Sequence, residues 1–107
     1  MFKITNEPQF THSVIACVPV DGGFDEQSFK ATFRVLDADK LGTDGSVQGQ
    51  IEDLRRLIVK LDDLVDEQGQ PVPYSDALRD QLIGLPYVRI ALVEAYTRGV
   101  TKAKSGN

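Results

Sequence analysis

The period of apolar and polar positions changes along the chain, and each change marks an element. From His12 to Val20 the residues are mostly apolar and often β-branched, and Asp21-Gly22-Gly23 follows as a turn signal. From Gln27 to Leu36, Phe29, Ala31, Phe33 and Val35 alternate with Lys30, Thr32 and Arg34, the period of a half-buried strand. Two strands about a glycine-rich connection predict an antiparallel hairpin, and Pro19 marks the first strand as an edge or as ending there. A lone hairpin is marginal in water, so this one must pack on the rest of the chain or pair with another.

Residues 37–45 are polar and turn-rich. From Ser46 the period lengthens: Val47, Ile51, Leu54, Ile58, Leu61 and Val65 are spaced 4, 3, 4, 3, 4, and Leu57 and Leu64 widen the stripe. That spacing predicts one amphipathic helix over 47–65 with a heptad-like seam. Gly49 costs about 1 kcal/mol inside a helix, which would move the start toward Gln50. The helix cannot continue through Asp66-Glu67-Gln68-Gly69-Gln70-Pro71-Val72-Pro73-Tyr74-Ser75, because Pro71 and Pro73 each lack a backbone donor.

Ser75 and Asp76 then predict the N-cap and acidic first turn of a short helix over 75–83, carrying Leu78, Leu82 and Ile83, with Gly84 as a left-handed C-cap. Pro86 suits the first position of a third helix over 86–101, where Val88, Ala91, Leu92, Ala95, Tyr96 and Gly99 share one face. Residues 101–107 are small, polar and basic and read as a flexible tail. The expectation is a single domain over 1–107 of the α+β class: an N-terminal β-hairpin, or a small antiparallel sheet, packed with three helices.

Charge narrows the partners. The formal charge of -4 does not suit a nucleic-acid footprint, and Lys102 and Lys104 are too few for a basic arm. Residues 37–80 hold eleven acids and five bases, whereas residues 81–107 hold one acid and four bases, so the middle and the end can complement each other within one subunit or between two. The first ten residues hold one Lys and no long apolar stretch, and the apolar run 14–20 is too short to span a bilayer, which points to the cytoplasm and away from a membrane. A single cysteine, Cys17, agrees with a reducing compartment.

Candidate chemistry is thin. His12 and Cys17 are the only nucleophile and base pair available, and their separation of five puts them on opposite faces of a strand. Asp37, Asp39 and Gly42 open like a calcium loop, but Leu41 and Gln48 stand where oxygen ligands belong, so no metal is expected. Asp62, Asp63, Asp66 and Glu67 read as a solvated helix end rather than as an acid and base pair. No catalytic, cofactor-binding or metal residue is assigned. The seam is the remaining candidate. It either packs on Phe29, Phe33 and the last helix, or offers its solvent-facing edge (Ile51, Leu54, Leu57, Ile58 and Leu61) to a partner helix.

The order of parts resembles the tail assembly chaperone family of long-tailed bacteriophages and prophages. The resemblance covers most of the chain: a hairpin whose second strand runs from Phe29 to Leu36, an amphipathic helix, the run from Asp66 to Ser75, a leucine-bearing short helix, and Leu85-Pro86-Tyr87-Val88-Arg89-Ile90-Ala91-Leu92 followed by Ala95-Tyr96. Its specific part is the stretch 66–96. Where the family often has a Trp just before the acidic turn, this chain has Leu61 or Leu64. The resemblance implies a non-enzymatic protein without cofactors that escorts the tape-measure protein, the long, aggregation-prone chain that sets tail length. It would act in the host bacterial cytoplasm while the tail tube protein polymerises around the tape measure. The rival expectations are a structural tail component retained in the virion and a small enzyme using His12 and Cys17. Pairing of two copies through the exposed hairpin edge is a further expectation.

Overall fold

A computed structural model describes residues 1–42 and 44–101; the expected tail beyond residue 101 lies outside them. The fold is α+β. Strands β1 (Gln9–Val20) and β2 (Gly23–Arg34) form a hairpin, and after a 3-10 turn at Ala38–Lys40 come α1 (Val47–Leu57), β3 (Ile58–Asp62), α2 (Asp76–Ile83) and α3 (Pro86–Thr101). The antiparallel sheet has the order β1-β2-β3, so β1 is an edge, as Pro19 requires. The strands are longer than their sequence pattern, because pairing extends β1 back to Gln9 and carries β2 to the turn, where Gly22 supplies a φ of +78°.

The expected helix over 47–65 is the principal correction. It starts at Val47, where the Ser46 hydroxyl accepts from Gly49 N–H at 2.9 Å, a cap that lets Gly49 sit in the first turn. It stops at Leu57, and Ile58 takes up extended backbone. Ile58 and Val59 are adjacent β-branched residues, and β2 has a free edge beside them. Ile58 and Leu61 are three apart, a helical spacing that in a regular strand would place them on opposite faces. The register shift between Thr32 and Phe33 absorbs the extra residue, so Ile58 pairs with Phe33, Leu61 with Ala31, and both are buried. A bulged strand thus carries the same spacing as a helix.

Beyond β3, Asp63 takes a left-handed φ of 63° and the chain leaves the sheet. The Asp66 side chain accepts from the N–H groups of Gln68 and Gln70, both at 2.9 Å, and Gly69 has a φ of +80°. This turn brings Pro71 opposite Val65, and Val72 N–H donates to Leu64 C=O at 2.8 Å. The Ser75 hydroxyl then caps α2 by accepting from Leu78 N–H at 3.1 Å. Gly84 is right-handed (φ -66°, ψ -20°) rather than left-handed, because the chain passes into α3 within two residues and has no room for a reversal.

One face of the sheet (Val14, Ala16, Phe29, Ala31, Phe33) meets Leu54 and Leu57 of α1, Ile83 of α2, and Val88, Ala91, Leu92 and Ala95 of α3. α3 runs antiparallel to β1, with Gly99 against the Phe10 ring and Tyr87 and Ile90 near Cys17. Phe10, Phe33 and Tyr96 form an aromatic trio with centroids 5.4 to 5.9 Å apart.

Candidate partner-binding surfaces

The five residues expected on a solvent-facing helix edge do not form one. Leu54, Leu57, Ile58 and Leu61 are between 1% and 4% exposed, and Ile51 is half-buried. The seam is interrupted at Leu57: its first half packs inward from α1 and its second half faces the core from β3. Of the two roles weighed for it, the structure gives the stretch from Leu54 to Leu61 the core one, while Val47 and Val65 at the ends of the seam are 55% and 63% exposed. Leu54 and Leu57 reach a surface only in the wall of a small hollow of about 160 Å³, shared with Leu41, Val93 and Tyr96.

The titratable groups singled out in the sequence do not converge on a site, and several are held by local bonds. His12 and Cys17 fall on opposite faces of β1, and His12 Nδ1 lies 2.8 Å from Ser13 C=O. Asp37 and Asp39 belong to the 3-10 turn, and Asp53 accepts from Gly42 N–H at 2.7 Å. Asp62 pairs with Lys60 at 3.5 Å. The Asp44 carboxyl is held below its ordinary range by the Ser46 N–H and hydroxyl. Among the described residues, no three of His, Cys, Asp and Glu come together as a metal site would need.

A polar cluster sits between α1 and α2. Asp80 accepts from Arg79 Nε at 3.0 Å and pairs with Arg55 at 3.2 Å, while Arg79 also reaches Asp76 at 3.6 Å. Burial raises the Tyr74 hydroxyl above its ordinary value, Arg79 works against this, and Asp76 and Asp80 add to it. Sequence reasoning missed Arg89, which is 9% exposed on α3 and donates from Nη1 to Ile83 C=O at 3.3 Å, near the C-terminus of α2. Among the described residues its Nε has no hydrogen-bond partner. Its one signal in the sequence is its position directly after Val88 on the packed side of α3.

An apolar surface able to take another chain lies at the far half of the hairpin. Val18 and Phe29 form one wall of a groove of about 260 Å³, Leu64 and Val65 the second, and Leu85 and Val88 close it at the junction of α2 and α3. Each wall has a local cause. Hairpin pairing sets Val18 and Phe29 on the core-facing side beyond the reach of α1, and the Asp66 turn pins Leu64 and Val65 across the opening. Asp63 lies on the rim, and Val65 is 63% exposed. The shape suits an apolar stripe with basic flanks. The turn motif was legible in the sequence, whereas its role as a wall was not, since that depends on β3 ending at Asp62.

Among the described residues no helix is long and apolar enough to cross a membrane. Comparison with protein-family models, with curated proteins and with solved structures found no match for this chain.

Proposed function

We propose that this chain is a phage tail assembly chaperone that binds the tape-measure protein and keeps it soluble in the host bacterial cytoplasm while the tail tube forms. The observation that carries the proposal is the run from Asp66 to Tyr96, the specific part of the resemblance to that family, and its turn builds one wall of the apolar groove. An escort has to cover apolar stripes of a helical client and release them, which favours an open groove with a polar rim over a closed cavity. In this proposal an amphipathic helix of the tape measure lays its i, i+3, i+4 and i+7 anchors against Val18, Val65 and Leu85, and the chain performs no catalysis.

Co-expression with the tape-measure protein tests this. The expected outcome is more soluble tape measure and a complex that copurifies. Val65→Asp, at an exposed position, should weaken the complex while leaving the thermal melt of the free chain unchanged. If the tape measure stays insoluble and no complex forms, the escort role is wrong. Recovery of this chain from mature particles would then favour a structural tail component.

A further inference from the structure

Among the described residues the outer rim of β1 is unpaired. Val35 N–H donates to Pro8 C=O at 2.9 Å, which makes Pro8 and Val35 a hydrogen-bonded pair. Antiparallel alternation then turns the backbone of Phe10, His12, Val14, Ala16 and Val18 toward β2 and leaves the N–H and C=O groups of Thr11, Ser13, Ile15 and Cys17 pointing away from the sheet. No other described strand pairs with that rim. The devices that usually guard an edge are scarce: all twelve residues of β1 lack Asp, Glu, Lys and Arg, and Pro19 protects one end alone.

Below the rim, two adjoining hollows of about 240 and 230 Å³ run between β1 and α3 and share Ile15, Cys17, Ala91 and Glu94. Small side chains at Ala91 and Ala95 leave room for a strand above α3. Glu26 and Glu94 make this stretch acidic, and Arg98 lies toward the Ser13 end.

The chain also carries a segment that fits. Residues 1–5 belong to no helix or strand, and Met1, Phe2 and Ile4 are 128%, 91% and 90% exposed. Phe2 and Ile4 alternate with Lys3 and Thr5, the period of a strand with one apolar face. The left-handed backbone of Glu7 (φ 53°) breaks the extended run between this arm and β1.

We infer that residues 1–5 of a second copy of this chain add as an antiparallel strand to the β1 rim, burying Phe2 and Ile4 over α3 between β1 and the helix. Phe2 then lies opposite Ala16 and Ile4 opposite Val14, on the face that meets α3. Lys3 lies opposite Ile15, near Glu26 and Glu94, and Thr5 lies opposite Ser13 at the Arg98 end. Reciprocal exchange of arms closes a two-fold pair and leaves no free rim. This is separate from the tape-measure proposal, because the hollows beside the β1 rim meet the Val65 groove at Tyr87 but include none of Val18, Val65 and Leu85, the residues given to the tape measure.

Sedimentation equilibrium of the full chain over a concentration series tests the exchange. The intact chain should self-associate. Phe2→Asp with Ile4→Asp should be monomeric and still folded by circular dichroism, because both positions are exposed in the single chain. Ile15→Pro should also be monomeric, because it removes a donor from the rim without touching the β1–β2 ladder; circular dichroism confirms that it is folded. Mixing the arm variant with the rim variant should restore part of the association, since one intact arm then meets one intact groove. An intact chain that stays monomeric throughout would overturn the inference. So would an arm variant that associates like the intact chain, the result expected if two β1 rims pair directly.

Discussion

Gly99→Ala is the most discriminating single substitution in this fold, because two effects of known size oppose each other. Gly99 lies in α3, two residues before its end at Thr101. In an exposed helix the change would stabilise by up to about 1 kcal/mol through helix propensity. Here the new Cβ would overlap the Phe10 ring: Cδ2 would stand at 2.9 Å, with Cζ and Cε2 nearer still. The ring cannot swing aside cheaply, since Phe33 and Tyr96 hold it at centroid distances of 5.4 and 5.9 Å. Overpacking of this kind costs about 1–3 kcal/mol. The steric effect therefore wins, and net destabilisation of about 1–2 kcal/mol is expected, a fall in Tm of roughly 4–16 °C for a domain of this size. Urea unfolding followed by far-ultraviolet circular dichroism measures it. The double variant supplies the control. With Phe10→Ala the obstruction is gone, and adding Gly99→Ala should then stabilise by up to about 1 kcal/mol, reversing the sign. If Gly99→Ala stabilises the intact chain, Phe10 does not lie across α3 and the packing of β1 on that helix is wrong.

Two other outcomes follow from the same structure. Leu54→Ala and Leu61→Ala, each at positions 1% exposed, should cost about 2–5 kcal/mol apiece in chemical unfolding, and losses below about 0.5 kcal/mol would return these side chains to the surface. The Tyr74 hydroxyl is raised above 10.0 chiefly by burial, so the folded state favours its protonated form; that contribution is complete below pH 10.0 and is lost as the pH rises past it. Stability should therefore fall less steeply above pH 10.0 in Tyr74→Phe than in the intact chain, and parallel curves would remove Tyr74 from the account.

The local signals and the tertiary context divided the molecule between them. Period-two alternation at Phe29, Ala31 and Phe33, the turn at Asp21-Gly22, the proline and glycine punctuation of residues 66–75, the Ser75 cap and the Pro86 start are all near-neighbour effects. Each was legible without knowing what packs where, and α3 runs from Pro86 to Thr101 as its pattern predicts. The stretch 47–65 was not legible in this way. A spacing of four and three suits a helix throughout, but it equally suits a helix followed by a bulged strand, and the deciding factor is the free edge of β2 many residues earlier in the chain. The same long-range choice moved Ile58 and Leu61 into the core and turned Leu64 and Val65 into the wall of a groove, and another long-range contact, of α3 on β1, set Gly99 beneath Phe10. The sequence by itself determined which segments are helix, strand or turn wherever the cause is local. Only the tertiary structure decided which apolar side chains are hidden and which are left to meet another chain, because burial depends on contacts between residues far apart in sequence.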